Sequence, residues 1–147
     1  MIKEGITGFN CSNLEGLSNK LELLKKNILY LKKYKIKAFY DQNETSNYVR
    51  IKLYDFIENE KIDLLINCQY GYSCCATDES SWMNIEFIEI PHLLERKLQD
   101  IFPCLKPKYL NSKLEDIDIR NLSKTEKEQI EYWKSETKGE VIFNGYD

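Results

Sequence analysis

The chain has 147 residues, the size of one domain, and its 42% hydrophobic and 12% aromatic content is too apolar for a disordered chain. Charged residues make up 31%, mean hydropathy is -0.53, and no apolar run approaches the roughly 18 residues of a membrane span, which excludes a helical membrane protein. The net charge of -3 conceals an asymmetry, with +5 over residues 1–54 and -8 over residues 55–147, and an acidic remainder of that size repels phosphate backbones and attracts basic partners.

The amino terminus lacks the apolar stretch of a secretory signal, so the expected location is cytoplasmic. Five cysteines, Cys11, Cys68, Cys74, Cys75 and Cys104, form an odd set without the spacing of a disulfide framework, as expected of free thiols, mostly buried, in a reducing compartment.

In chain order, Ser12-Asn13-Leu14-Glu15 fits a capping box that predicts a helix start. Leu14, Leu17, Leu21, Leu24, Ile28 and Leu31 then recur at three- and four-residue steps, placing one apolar stripe on a helix to about Lys33. Residues 35–40 read as a strand ending at the polar run Asp41-Gln42-Asn43-Glu44. Residues 46–60 fit two patterns. Val49, Ile51 and Leu53 alternate as in a strand, whereas Val49, Leu53, Phe56 and Ile57 share a helical face, and helix is the preferred reading. Residues 62–68 read as a buried strand and 69–82 as a surface loop. Residues 84–90 read as a strand, with a helix from Pro91 to about Phe102. Residues 104–122 read as irregular. Ser123-Lys124-Thr125-Glu126 is a second capping box, opening a helix to about Lys134, and residues 139–147 read as a strand or a tail folded over the core. Together these predict a mixed α/β fold, residues 1–147 forming a single domain with a small central sheet and packed helices.

Few residues suggest chemistry. His92 could serve as a base for Cys74 or Cys75, but no spacing supports the pairing, and a histidine at a helix start is more often structural. Cys68, Cys74, Cys75 and Cys104 lack the close pairs of a zinc site, and Glu115-Asp116-Ile117-Asp118 lacks the glycine and distal glutamate of a calcium loop. The expectation is therefore no catalytic set, no metal and no cofactor. Seven lysines between Lys20 and Lys37 invite a nucleic-acid reading, but without arginine among them they read as the solvated face of an amphipathic helix, and no direct nucleic acid or membrane partner is expected. What remains is a candidate protein-binding face: Tyr70, Tyr72, Asp78, Glu79 and Trp82 in one loop, with Glu115, Asp116 and Asp118 in another. Aromatics anchor interfaces and carboxylates steer a basic partner, although Trp82 and a tyrosine could equally belong to the core.

The closing stretch Glu131-Tyr132-Trp133-Lys134-Ser135-Glu136-Thr137-Lys138-Gly139-Glu140-Val141-Ile142-Phe143-Asn144-Gly145-Tyr146-Asp147 resembles the carboxy-terminal signature of immunity proteins of contact-dependent growth-inhibition and polymorphic toxin systems, approximately W-K-P-x-T-x-G-E-x-I-F-N-x-W-D. It departs from that pattern at Ser135, where proline is common, and at Tyr146, where tryptophan is common. The resemblance implies a small inhibitor without chemistry of its own, whose partner is a cognate toxin domain, basic if it is a nuclease. A motif shared by partners of different toxins is expected to serve the fold.

Overall fold

The computed structural model describes residues 2–9, 11–42, 46–78 and 84–146. Helix α1 (Leu17–Tyr30) buries Leu17, Leu21, Leu24 and Ile28, the predicted stripe, while Leu14 and Leu31 pack against the same core from outside the helix. The capping box expected at Ser12 does not open it. The Leu14 amide instead donates to the Cys68 carbonyl at 2.7 Å, and Gly16, with φ of 75°, turns the chain into the helix in the left-handed region that glycine enters without steric cost.

Five strands follow one another in an antiparallel sheet of order β1-β2-β3-β4-β5. They are β1 (Tyr34–Tyr40), β2 (Tyr48–Asp55), β3 (Glu60–Asn67), β4 (Ser73–Ala76) and β5 (Phe87–Ile88). The helix preferred for residues 46–60 is thus corrected to a strand and a hairpin turn. Tyr48–Asp55 pairs without interruption with β3, its other edge paired to β1, and Val49, Ile51 and Leu53 are all buried. Phe56 and Ile57, the residues that suggested a helical face, are exposed in the turn. The Asp55 carboxylate accepts the Ile57 and Glu58 amides there, and Asn59 takes a positive φ.

The loop expected over residues 69–82 is also corrected in part, because Ser73-Cys74-Cys75-Ala76 is a fully buried strand. It is covered on both faces, and such strands show no alternation to read. Beyond β5, Pro91 caps α2 (His92–Leu98), and the segment expected to be irregular contains two short helices, α3 (Pro107–Leu110) and α4 (Asp116–Ile119). Helix α5 (Lys124–Trp133) opens on the predicted capping box, with Ser123 Oγ accepting the Glu126 amide and Glu126 Oε1 accepting the Ser123 amide. A last turn, α6 (Lys138–Ile142), leads into a buried tail, where the sequence suggested a strand or a packed tail.

The sheet divides two apolar clusters. On one face, α1, α2 and Phe102 pack on Val49, Ile51, Leu53, Leu64 and Ile66. On the other, Ile2 and Ile6, Leu110, Ile130 and the tail residues Val141, Ile142 and Phe143 pack on Tyr48, Leu65, Cys74 and Ala76. This is a mixed α/β domain built around one small sheet. Among the described residues no helix is long and apolar enough to cross a membrane.

Candidate protein-binding surface

The Asn67 side chain shapes the loop after β3: its Oδ1 accepts the Gln69 and Tyr70 amides, and Gly71 completes the reversal at φ of 75°. This places Tyr70 and Tyr72 side by side, ring centroids 6.2 Å apart and nearly parallel, with Lys3 Nζ over both rings at 5.4 and 5.9 Å. Tyr70 also donates its hydroxyl to the Glu4 carbonyl.

The second predicted loop reaches the same side of the molecule. The Ile2 amide, next to Lys3, donates to the Asp118 carbonyl, and Lys138 spans Asp118 Oδ2 at 3.8 Å and the Tyr109 ring at 5.1 Å. Burial pushes the Tyr109 hydroxyl pKa up, and the neighbouring Asp118 and Tyr72 raise it further. Tyr70 and Tyr72, both half-buried and packed against the second apolar cluster, thus lie on the same side as Tyr109 and α4, although 39 positions separate Tyr70 from Tyr109.

The predicted residues do not all take part in the same way. Glu115 and Asp116 are exposed at the start of α4. Asp118 is buried, accepts the Glu115 amide at 2.8 Å and meets Lys138, so it builds the turn and does not present a charge. Asp78 belongs elsewhere: its carbonyl accepts Lys52 Nζ over the opposite end of the sheet face. Glu79 and Trp82 lie outside the described residues. Tyr109, which joins the two loops, was not anticipated, because nothing local marks a half-exposed tyrosine in a four-residue helix.

Within the closing stretch, Gly139 and residues 141–146 are buried, while Tyr132, Lys134, Glu136 and Glu140 are exposed. Thr137 Oγ1 caps α6 through the Glu140 amide, and Glu140 Oε2 accepts the Glu136 amide. Gly139 lies against Phe87, where a Cβ would come within 2.4 Å of Cε2. Phe143 is fully buried, with its ring 6.0 Å from Tyr48 and 6.1 Å from Phe87. Asn144 donates to the Thr7 and Val141 carbonyls, while Asn47 and Asn67 each donate to the carbonyls of both Ile6 and Ile142. These bonds tie the first residues, two strand ends and the tail together, so these residues of the closing stretch have a folding role in this chain.

The cysteines are arranged differently from a reactive site. Cys74 and Cys75 are sealed inside, and burial pushes both thiols well up, while His92 is exposed at the first position of α2. Cys68 and Cys75 face one apolar cluster and Cys74 the other, so they cannot converge on one ion. Among the described residues no group of three or more His, Cys, Asp or Glu side chains is placed to hold a metal ion. No protein-family model, no curated protein and no solved structure matches this chain.

Proposed function

We propose that this chain is an immunity protein that binds a cognate bacterial toxin, a nuclease in the simplest case, and neutralises it by covering its active site or substrate-binding surface. The observation that carries the reading is the surface made by the Tyr70–Tyr72 pair, Tyr109 and the exposed acids Glu115 and Asp116. Rigid aromatic rings supply contact area at low entropic cost, and carboxylates beside them complement the basic cleft that a nuclease offers to nucleic acid. The resemblance of residues 131–147 to the immunity signature points the same way, as does the charge of -8 over residues 55–147. The mechanism is occlusion, without chemistry on the inhibitor's side.

The test reverses the two exposed acids together, Glu115→Lys with Asp116→Lys. Both side chains are solvent-exposed, but Glu115 also caps the short helix α4, so circular dichroism establishes that the variant is folded before the assay; the expected result is loss of toxin binding and of protection in cells making the toxin. Full protection by the folded variant would remove this surface from the interface.

A further inference from the structure

The carboxy-terminal layer covers only part of its sheet face, and the strand register shows what lies on the remainder. Lys35 pairs with Tyr54 across β1 and β2, and Tyr54 pairs with Lys61 across β2 and β3, so one row reads Lys-Tyr-Lys. A β-bulge between Ile36 and Ala38 accommodates Lys37, whose Nζ sits 5.5 Å from the Tyr54 ring centroid. Three lysines therefore surround one ring. All three are exposed, and none forms an ion pair with a described residue.

The ring itself is held. Tyr54 donates its hydroxyl to Asn59 Oδ1 at 2.5 Å, and Asn59 is fixed in the β2–β3 turn at φ of 56°. Further along the same face, Tyr40 stands opposite Arg50 and is 55% exposed. Between the two tyrosines, Lys52 is anchored by the fully buried Asp63 and the Asp78 carbonyl. A groove of about 290 Å³ runs beside Tyr54, lined by Lys37, Lys52, Lys61, Asp63 and Asp78.

We propose that this face binds single-stranded nucleic acid, with a base stacked on Tyr54 and its flanking phosphates met by Lys35, Lys37 and Lys61. Lys35 and Lys61 stand on either side of β2, two strand spacings or roughly 10 Å apart. A strand lying across the row meets a cation, an aromatic plane and a second cation in turn, which is how sequence-tolerant single-strand binders combine stacking with backbone charge. An acidic protein segment would satisfy the lysines but stacks on the ring only where it happens to carry an aromatic or guanidinium group, whereas every nucleotide brings a base. Tyr30 and Tyr34 stand among the lysines of residues 20–37 in the sequence, but the aromatic that shares a row with Lys35 is Tyr54, brought there from β2 by the register.

The test is fluorescence anisotropy with labelled oligothymidylate and oligouridylate, unlabelled duplex DNA and a polyglutamate peptide serving as competitors. Three phosphate contacts predict a loss of roughly twentyfold in affinity between about 50 and 200 mM salt. Tyr54→Ala is expected to weaken binding about tenfold, while Tyr54→Phe retains it. Replacing Lys35, Lys37 and Lys61 by Gln, all at exposed positions, should flatten the salt dependence. The proposal is overturned if no single strand binds at low salt, if polyglutamate displaces the oligonucleotide more effectively than duplex or single-stranded competitor, or if the triple variant binds like the parent.

Discussion

Ser135 Oγ and Tyr146 OH lie 2.5 Å apart, so the two positions at which the closing stretch departs from the pattern it resembles are in contact with each other. Tyr146 is buried and burial pushes its hydroxyl pKa up to about 12, with the Ser135 bond pulling in the opposite direction. A hydroxyl buried at the end of the tail requires a partner, and serine supplies one where the common proline has none.

That contact predicts non-additive stability. Ser135→Ala strands the tyrosine hydroxyl and should cost about 1–2 kcal/mol, whereas adding Tyr146→Phe removes the stranded group as well. Urea unfolding of both single variants and the double variant should give a coupling of about 1 kcal/mol. Additive losses would mean that the two hydroxyls do not support each other.

Glu126 joins the two ends of the chain. Its carboxylate, wholly buried, caps α5 through the Ser123 amide and also accepts the Gly5 amide at 3.0 Å and the Thr7 hydroxyl at 2.6 Å. Glu126→Ala leaves those buried donors without an acceptor and is expected to cost about 3 kcal/mol. Glu126→Gln should recover part of the loss, because one oxygen remains to accept. Thermal unfolding of the three proteins distinguishes these outcomes.

Two glycines should lose stability to different degrees when a methyl group is added. At Gly139 a methyl group would press into Phe87 and stand 2.9 Å from the Leu110 carbonyl oxygen, whereas at Gly16 it would meet nothing within 4 Å. Gly139→Ala is therefore expected to cost about 2–3 kcal/mol through overpacking. Gly16→Ala should lose only about 1 kcal/mol, from the left-handed backbone. Equal losses in denaturant titrations would contradict this account of Gly139.

Alkaline pH should unfold the protein for an identifiable reason. Burial, reinforced by Asp55, raises the Tyr34 hydroxyl from 10.0 to about 12, and burial raises the Cys68 thiol from 9.0 to about 12. Each group gives up its proton sooner in the unfolded chain, so its contribution is complete below the unfolded value and is lost as pH climbs through the folded one. The urea midpoint should hold up to about pH 9 and fall steadily toward pH 12. A midpoint that rises over this range would contradict the burial of these groups.

How much of this was legible in the sequence depends on whether a local pattern had one physical explanation. The α1 stripe did, because six leucine and isoleucine positions at helical spacing fit a single face, and so did Ser123 with Glu126, whose side chains satisfy each other's backbone donors. Residues 46–60 carried two compatible periodicities, and the choice was made by pairing with β1 and β3, which local sequence does not contain. Ser73–Ala76 carried none, because small residues buried on both faces resemble a loop. The candidate surface was visible as composition in two separate loops. Its assembly through Tyr109, the inward turn of Asp118 and the displacement of Asp78 to the far end of the sheet face all depend on tertiary contacts. The same holds for the Lys35-Tyr54-Lys61 row, which exists only in the strand register.

The most direct test of the central claim is a pull-down of the tagged protein from its native host, or against the product of the neighbouring gene, with the bound species identified by mass spectrometry and the Glu115→Lys, Asp116→Lys variant run alongside. The account predicts recovery of a basic toxin domain by the parent chain and its loss with the variant. Recovery of no specific partner in a strain that makes such a toxin would contradict it.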